Sequence, residues 1–227
     1  MQKCYMYDRC NRKDCESNFC IRKYKMDSLY SAALLTESQK QHISLRVDAD
    51  GTDLEQFKQL AGIEQNICKF VEDGKNLYLH SAIPGNGKSS WSLRLIEAYF
   101  NKIWARSEAK CRVLFISVPR FLLALKDNIT NKSEYVEYIK ENVLEADLVI
   151  FDDIAAKVGS EFELSHLLSI IDNRLALGKS NIYTSNLNRQ QLYTALGERL
   201  TSRVANMSID IELFGSDKRN LKLEDNQ

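Results

Sequence analysis

Five short apolar runs punctuate the chain from residue 76 onward: Asn76-Leu-Tyr-Leu-His80, Val113-Leu-Phe-Ile116, Leu148-Val-Ile-Phe151, Ile182-Tyr-Thr-Ser185 and Ile209-Asp-Ile-Glu-Leu213. Each has strand length, and most are apolar at consecutive positions, the pattern of strands covered on both faces. The segments between them carry apolar residues at helical spacing instead. Ser90 to Phe100 reads as an amphipathic helix, and Glu161 to Leu177 places Leu164, Leu167, Leu168, Ile171 and Leu175 on one stripe. A further helix is expected over Leu54 to Glu72, with Leu54, Phe57, Leu60, Ile67, Phe70 and Val71 inward, Asp53 as its N-cap and Gly74 as its stop. Strict alternation of strand and helix predicts an α/β fold with a five-stranded, mostly parallel sheet sandwiched between helices. Residues 24 to 50 are mostly helical in pattern until Asp48-Ala-Asp-Gly-Thr-Asp53 breaks it. The boundary is therefore set there, giving an N-terminal module over 1–50 and a main domain over 51–227.

Composition narrows this picture slightly. The 227 residues include 31 basic and 31 acidic side chains, so any nucleic-acid contact must come from a local patch. No apolar run approaches the roughly 18 residues of a membrane span, and the polar N-terminus lacks a signal-peptide core. The expectation is a cytoplasmic protein without a membrane partner.

Between the first apolar run and the helix that follows lies Ala82-Ile-Pro-Gly-Asn-Gly-Lys-Ser89. It matches the phosphate-cradling loop of ATPases, flanked as that chemistry requires by a strand and a helix; the other reading is a Gly-Lys turn without ligand. Its glycines let successive N–H groups face phosphate oxygens, and the helix N-terminus adds a favourable dipole. Pro84, Gly85, Asn86, Gly87, Lys88, Ser89 and Ser90 are the expected ATP-holding residues. Lys88 would reach the β and γ phosphates, and the Ser89 hydroxyl would ligate Mg²⁺. Ala82 stands where the pattern wants glycine, which is tolerable if its φ stays negative.

The third apolar run leads into Asp152-Asp153, which places two carboxylates at the C-terminal edge of the sheet, where α/β folds bind ligands. Asp152 would hold the Mg²⁺ shell and Asp153 would orient or activate the attacking water. The fourth run ends in Asn186, a polar amide at the next strand edge and within reach of a γ-phosphate or its water. Arg199 and Arg203 stand four residues apart, on one helical face, in Leu196-Gly-Glu-Arg-Leu-Thr-Ser-Arg-Val204. One of them suits presentation to a neighbouring subunit's γ-phosphate. The other reading is a surface pair bridging acids such as Glu198.

Cys4, Cys10, Cys15 and Cys20 crowd the first 20 residues with five, four and four residues between them. Four thiolates so spaced can converge on one structural Zn²⁺; an iron–sulfur cluster and free thiols are the alternatives. Residues 1–25 also carry seven Lys or Arg against three acids, an excess that suits DNA phosphates, an acidic partner, or the negative charge of a zinc tetrathiolate.

Together, Pro84-Gly-Asn-Gly-Lys-Ser89, Ser117-Val-Pro-Arg-Phe-Leu-Leu-Ala-Leu-Lys126, Ile150-Phe-Asp-Asp-Ile154, Thr184-Ser-Asn186 and Gly197-Glu-Arg-Leu-Thr-Ser-Arg203 resemble the AAA+ helicase loaders of the DnaC/DnaI type. There is kinship to DnaA and to the IstB transposition ATPases. The resemblance spans roughly residues 54 to 215 and implies an AAA+ P-loop NTPase fold. By position Asn186 resembles sensor 1 and Arg203 the arginine finger; the sensor 2 arginine falls near Lys218 or Arg219 and is assigned to Arg219, with Asp153 completing the catalytic set. The cysteine-rich start resembles the zinc-bearing, helicase-binding module of the DnaI branch, with its own spacing. The implied activity is ATP-driven placement of a replicative hexameric DNA helicase onto single-stranded DNA, with self-association through AAA+ domains. A compact, divergent loader would suit a phage or mobile element. The alternatives are a nucleotide-switched regulator of a replication protein and an IstB-like transposition ATPase.

Overall fold

The computed structural model describes residues 20–40, 50–107, 110–128, 131–156 and 159–218, together with Cys4, Met6, Cys10, Leu45 and Asp48. All five expected strands form: β1 (Asn76–His80), β2 (Val113–Ser117), β3 (Leu148–Asp152), β4 (Ser180–Ser185) and β5 (Ile209–Glu212). They make one sheet in the order β2-β3-β4-β1-β5, parallel at every pairing rather than mostly so.

Helices cover both faces: α1 (Ile21–Ala32), α2 (Leu54–Gln65), α3 (Ile67–Glu72), α4 (Lys88–Ile103), α5 (Val118–Asp127), α6 (Glu134–Asn142), α7 (Glu161–Ala176) and α8 (Arg189–Thr201). Strand geometry sorts the core between the two layers, because successive side chains point to opposite faces. Leu77, Leu79, Val113, Phe115, Leu148 and Ile150 pack with α1 to α4, whereas Tyr78, Leu114, Ile116, Val149 and Phe151 pack with α5 to α8. That is why β2 and β3 are apolar at consecutive positions. Trp91, Leu95, Ile96, Phe100 and Ile103 of α4 are all buried, and each large apolar side chain so placed contributes roughly 1.5–3 kcal/mol.

α1 belongs to this core although it precedes the boundary expected near residue 50. Met26, Leu29 and Tyr30 are buried, Tyr30 meets Phe100 edge-on at 5.2 Å, and the Phe115 N–H donates to the Ala33 carbonyl (3.0 Å). The helix expected over 54–72 is divided at Asn66, whose backbone (φ −107°, ψ 24°) leaves the helical region while its amide donates to the Gly62 carbonyl (3.0 Å). Asp53 does not cap α2. It sits at φ 69° with no side-chain bond to the helix start, and its carboxylate accepts the Phe214 and Gly215 N–H groups, both at 2.7 Å.

α7 and α8 both start with capping boxes, Ser160 with Glu163 and Asn188 with Gln191, so the chain enters each helix at a fixed angle just past the strand ends. Behind them Arg174 is wholly buried, donating to Asn181 Oδ1 (2.6 Å) and to the carbonyls of Val143, Ala146 (2.9 Å) and Ser180 (2.6 Å). This guanidinium ties α7 to the chain segments entering β3 and β4.

Candidate functional site

β1 ends at His80, and α4 begins at Lys88, so the loop between them emerges at the C-terminal edge of the sheet. Its shape is held from within. Ser81 Oγ accepts from the Ile83 N–H (3.0 Å) and from Asn86 Nδ2 (2.5 Å), and Asn86 also donates to the Leu213 carbonyl (3.3 Å). Gly87 sits at φ 110°, a conformation that L side chains rarely adopt and that turns the chain into α4. Ala82 is not among the residues with positive φ, which is why alanine serves there. Lys88 is 6% exposed, its ammonium curled over the loop toward the Ile83 carbonyl (3.2 Å) and Asn86 Oδ1 (3.4 Å). Ser89 and Ser90 follow in the first turn of α4, where the backbone N–H groups lack intrahelical partners.

Asp152 closes β3 beside this turn. Its Oδ1 accepts from Ser89 Oγ and from Thr184 Oγ1, both at 2.8 Å. Burial raises the Asp152 carboxyl above the usual carboxylate range, against the lowering effect of those two hydroxyls. A desolvated carboxylate bonded to a loop hydroxyl is a donor set suited to Mg²⁺, which takes oxygen ligands and would offset the buried charge. Asp153 follows at φ 56°, an uncommon conformation for a residue with a side chain, and its N–H donates to Thr184 Oγ1 (2.9 Å). Thr184 therefore joins both acids to β4. Sequence reasoning gave it no role; a buried hydroxyl at the end of an apolar strand, level with an acid on the next strand, was the available signal.

The structure treats the remaining expected residues differently. Asn186 lies one residue past β4, exposed at the same edge of the sheet. Arg199 and Arg203 meet different surroundings. Gly197 interrupts α8 at φ 77°, ψ 170°, and a π-helical turn over Ser202–Asn206 takes up Arg203. Arg203 Nε donates to Asp172 Oδ1 of α7 (2.7 Å), whereas Arg199 is exposed. Arg219 and Cys15 lie outside the described residues. Cys4 is exposed, Cys10 and Cys20 are half-buried, and no group of three metal-ligating side chains occurs among the described residues, so the zinc expectation gains no structural support. No helix among the described residues is long and apolar enough to cross a membrane.

A parallel five-stranded sheet with a phosphate loop after β1 and paired acids after β3 has the fold of AAA+ ATPase domains from replication proteins. The crystal structure of the DnaC helicase loader superimposes with a TM-score of 0.59 at 19% identity, covering 76% of this chain and 94% of that one. The replication initiator DnaA bound to AMPPCP and single-stranded DNA gives 0.55 at 20% identity, over 77% of this chain and 50% of that one. In sequence the chain is similar to the replicative helicase loader DnaC of Escherichia coli (strain K12), 27% identical over 139 residues that span 61% of this chain and 51% of the relative. The chain thus covers about half the length of the curated relatives it matches. No protein-family profile matches it.

Proposed function

We propose that this protein is an ATP-dependent loader that places a replicative hexameric helicase onto single-stranded DNA. The observation that carries the reading is the bonded set Ser89–Asp152–Thr184 at the mouth of the phosphate loop, in a chain whose sequence is similar to DnaC over 139 residues. In this scheme the N–H groups of Gly85 to Ser90 and the Lys88 ammonium hold the triphosphate. Ser89 and Asp152 hold Mg²⁺, which supplies charge compensation to the phosphates. Asp153, its backbone held by Thr184, orients the attacking water, and Asn186 and Arg219 attend the γ-phosphate. Arg203, released from Asp172, reaches the nucleotide of an adjacent subunit, as an arginine finger does. Exposed Lys126 and Lys132 belong to the surface offered to DNA phosphates.

The N-terminal module is assigned to helicase binding. Its zinc rests on cysteine spacing alone; elemental analysis of anaerobically purified protein should find one Zn²⁺ per chain, and iron or no metal would remove that part of the scheme. The loading activity is tested with the replicative helicase from the same source, using capture of the helicase by this protein followed by ATP-dependent transfer onto a single-stranded circle. No capture, or transfer indifferent to ATP, would refute it.

A further inference from the structure

The chain beyond β5 turns back over the phosphate loop. The Lys218 N–H donates to the Gly85 carbonyl (3.1 Å), and Asn86 already holds the Leu213 carbonyl, so both ends of segment 213–218 are bonded to the loop. Gly85 stands at φ 77°, and a Cβ built on it would run into the Asp217 carboxylate. That carboxylate therefore lies directly against the loop backbone.

Two acids grip the segment from its other side. Asp53 takes the Phe214 and Gly215 N–H groups, one on each oxygen. Asp48 Oδ2 takes the Ser216 N–H (2.9 Å) and hydroxyl (3.2 Å), and Asp48 Oδ1 pairs with the Lys218 ammonium (3.3 Å). Asp48 and Asp53 thus hold four of the five positions from Phe214 to Lys218, a segment more than 160 residues away.

We infer that residues 213–218 form a self-inhibitory strap on the phosphate loop, with Asp217 as the group that opposes an incoming polyphosphate and Asp48 and Asp53 as the clamp that sets how firmly the strap is held. The inference rests on the nucleotide-binding reading of the loop. A carboxylate has the sign of the ligand and sits against the loop at Gly85, so its charge raises the cost of phosphate entry. Binding a triphosphate shifts the strap outward, because a ligand favours whichever arrangement it binds better. The strap is also held by the two acids that precede α2, so its displacement reaches the chain that leads to the N-terminal module.

Titration with a fluorescent ATP analogue and Mg²⁺ tests this in the full chain. Asp217 is exposed, so Asp217→Asn and Asp217→Ala should both fold, checked by an unchanged melting temperature. Both should bind the analogue about three- to tenfold more tightly at low salt, with the gain shrinking at high salt as screening sets in. Asp48→Asn combined with Asp53→Asn should also tighten binding and speed amide exchange at Phe214, Gly215 and Ser216, and in the parent nucleotide itself should speed exchange at those amides. Parental binding matched by unchanged or weaker binding in both Asp217 variants overturns the strap alone. Failure of the parent to bind, equal to Lys88→Ala, overturns the nucleotide reading and the strap together.

Discussion

Ser89 and Asp152, 63 positions apart, share a hydrogen bond of 2.8 Å at the mouth of the phosphate loop, and Thr184 completes the set from β4. Two strand ends and the first turn of α4 thus contribute to one polar cluster on the edge of the sheet. The predictions follow from how each member is held.

Lys88→Ala should weaken ATP binding by at least about tenfold, because its ammonium is the one cation built into the loop's curl and charge-assisted bonds are worth roughly 1.5–3 kcal/mol each. Asp153→Asn should bind ATP normally and lose about 100-fold in turnover, since a water-orienting carboxylate serves the transition state. Calorimetry and single-turnover hydrolysis separate the two; similar ATP affinity in Lys88→Ala and the parent would be decisive against it.

Asp152→Asn should stabilise the nucleotide-free protein while abolishing hydrolysis. Burial raises the Asp152 carboxyl, so the folded state takes up its proton more readily than the unfolded state, and the parent loses stability as pH rises through that folded value. The amide carries no such term and keeps an oxygen for Ser89 and Thr184. At pH 7 the variant should melt at a higher temperature than the parent, and the gain should fade as pH is lowered. A variant less stable than the parent at pH 7 contradicts this.

Arg203→Ala should keep nucleotide affinity and lose DNA-stimulated hydrolysis. Its pairing with Asp172 joins two half-exposed groups and is worth no more than about 1 kcal/mol, little obstacle to release. Mixing with Lys88→Ala protein, which lends an intact Arg203 to a whole pocket, should restore part of the activity. Inactive mixtures of variants that demonstrably co-assemble would move the role to Arg199.

Arg174→Met should destabilise the fold by about 3–5 kcal/mol, read by urea denaturation. Burial lowers the guanidinium's pKa to about 10, yet it serves four acceptors that have no access to water once it is gone. A loss below about 1 kcal/mol would mean that water replaces it.

Much of this was legible in the chain because its signals are local. Runs such as Leu148-Val-Ile-Phe151 state their burial at consecutive positions, and the loop Pro84–Ser89 declares its chemistry within six residues. What escaped depends on distant partners. Asp53 reads as a cap for α2 until Phe214 and Gly215 arrive from 161 and 162 residues away. Arg199 and Arg203 read alike at four residues' separation, and only the approach of α7 gives Arg203 its partner Asp172 while Arg199 stays exposed. Thr184 reads as one more strand residue, and only the register of β4 against β3 brings it to Asp152.

The bond from Phe115 to Ala33 carries a practical consequence. β2 is an outermost strand of the sheet, and its free side would present unpaired N–H and C=O groups to any other chain. The segment following α1 lies along that side and occupies one of those groups, while Met26, Leu29 and Tyr30 seal the apolar layer beneath. Trimming the protein to begin at residue 51 would strip this cover and invite edge-to-edge association. A shortened version should begin no later than Cys20 to stay monodisperse.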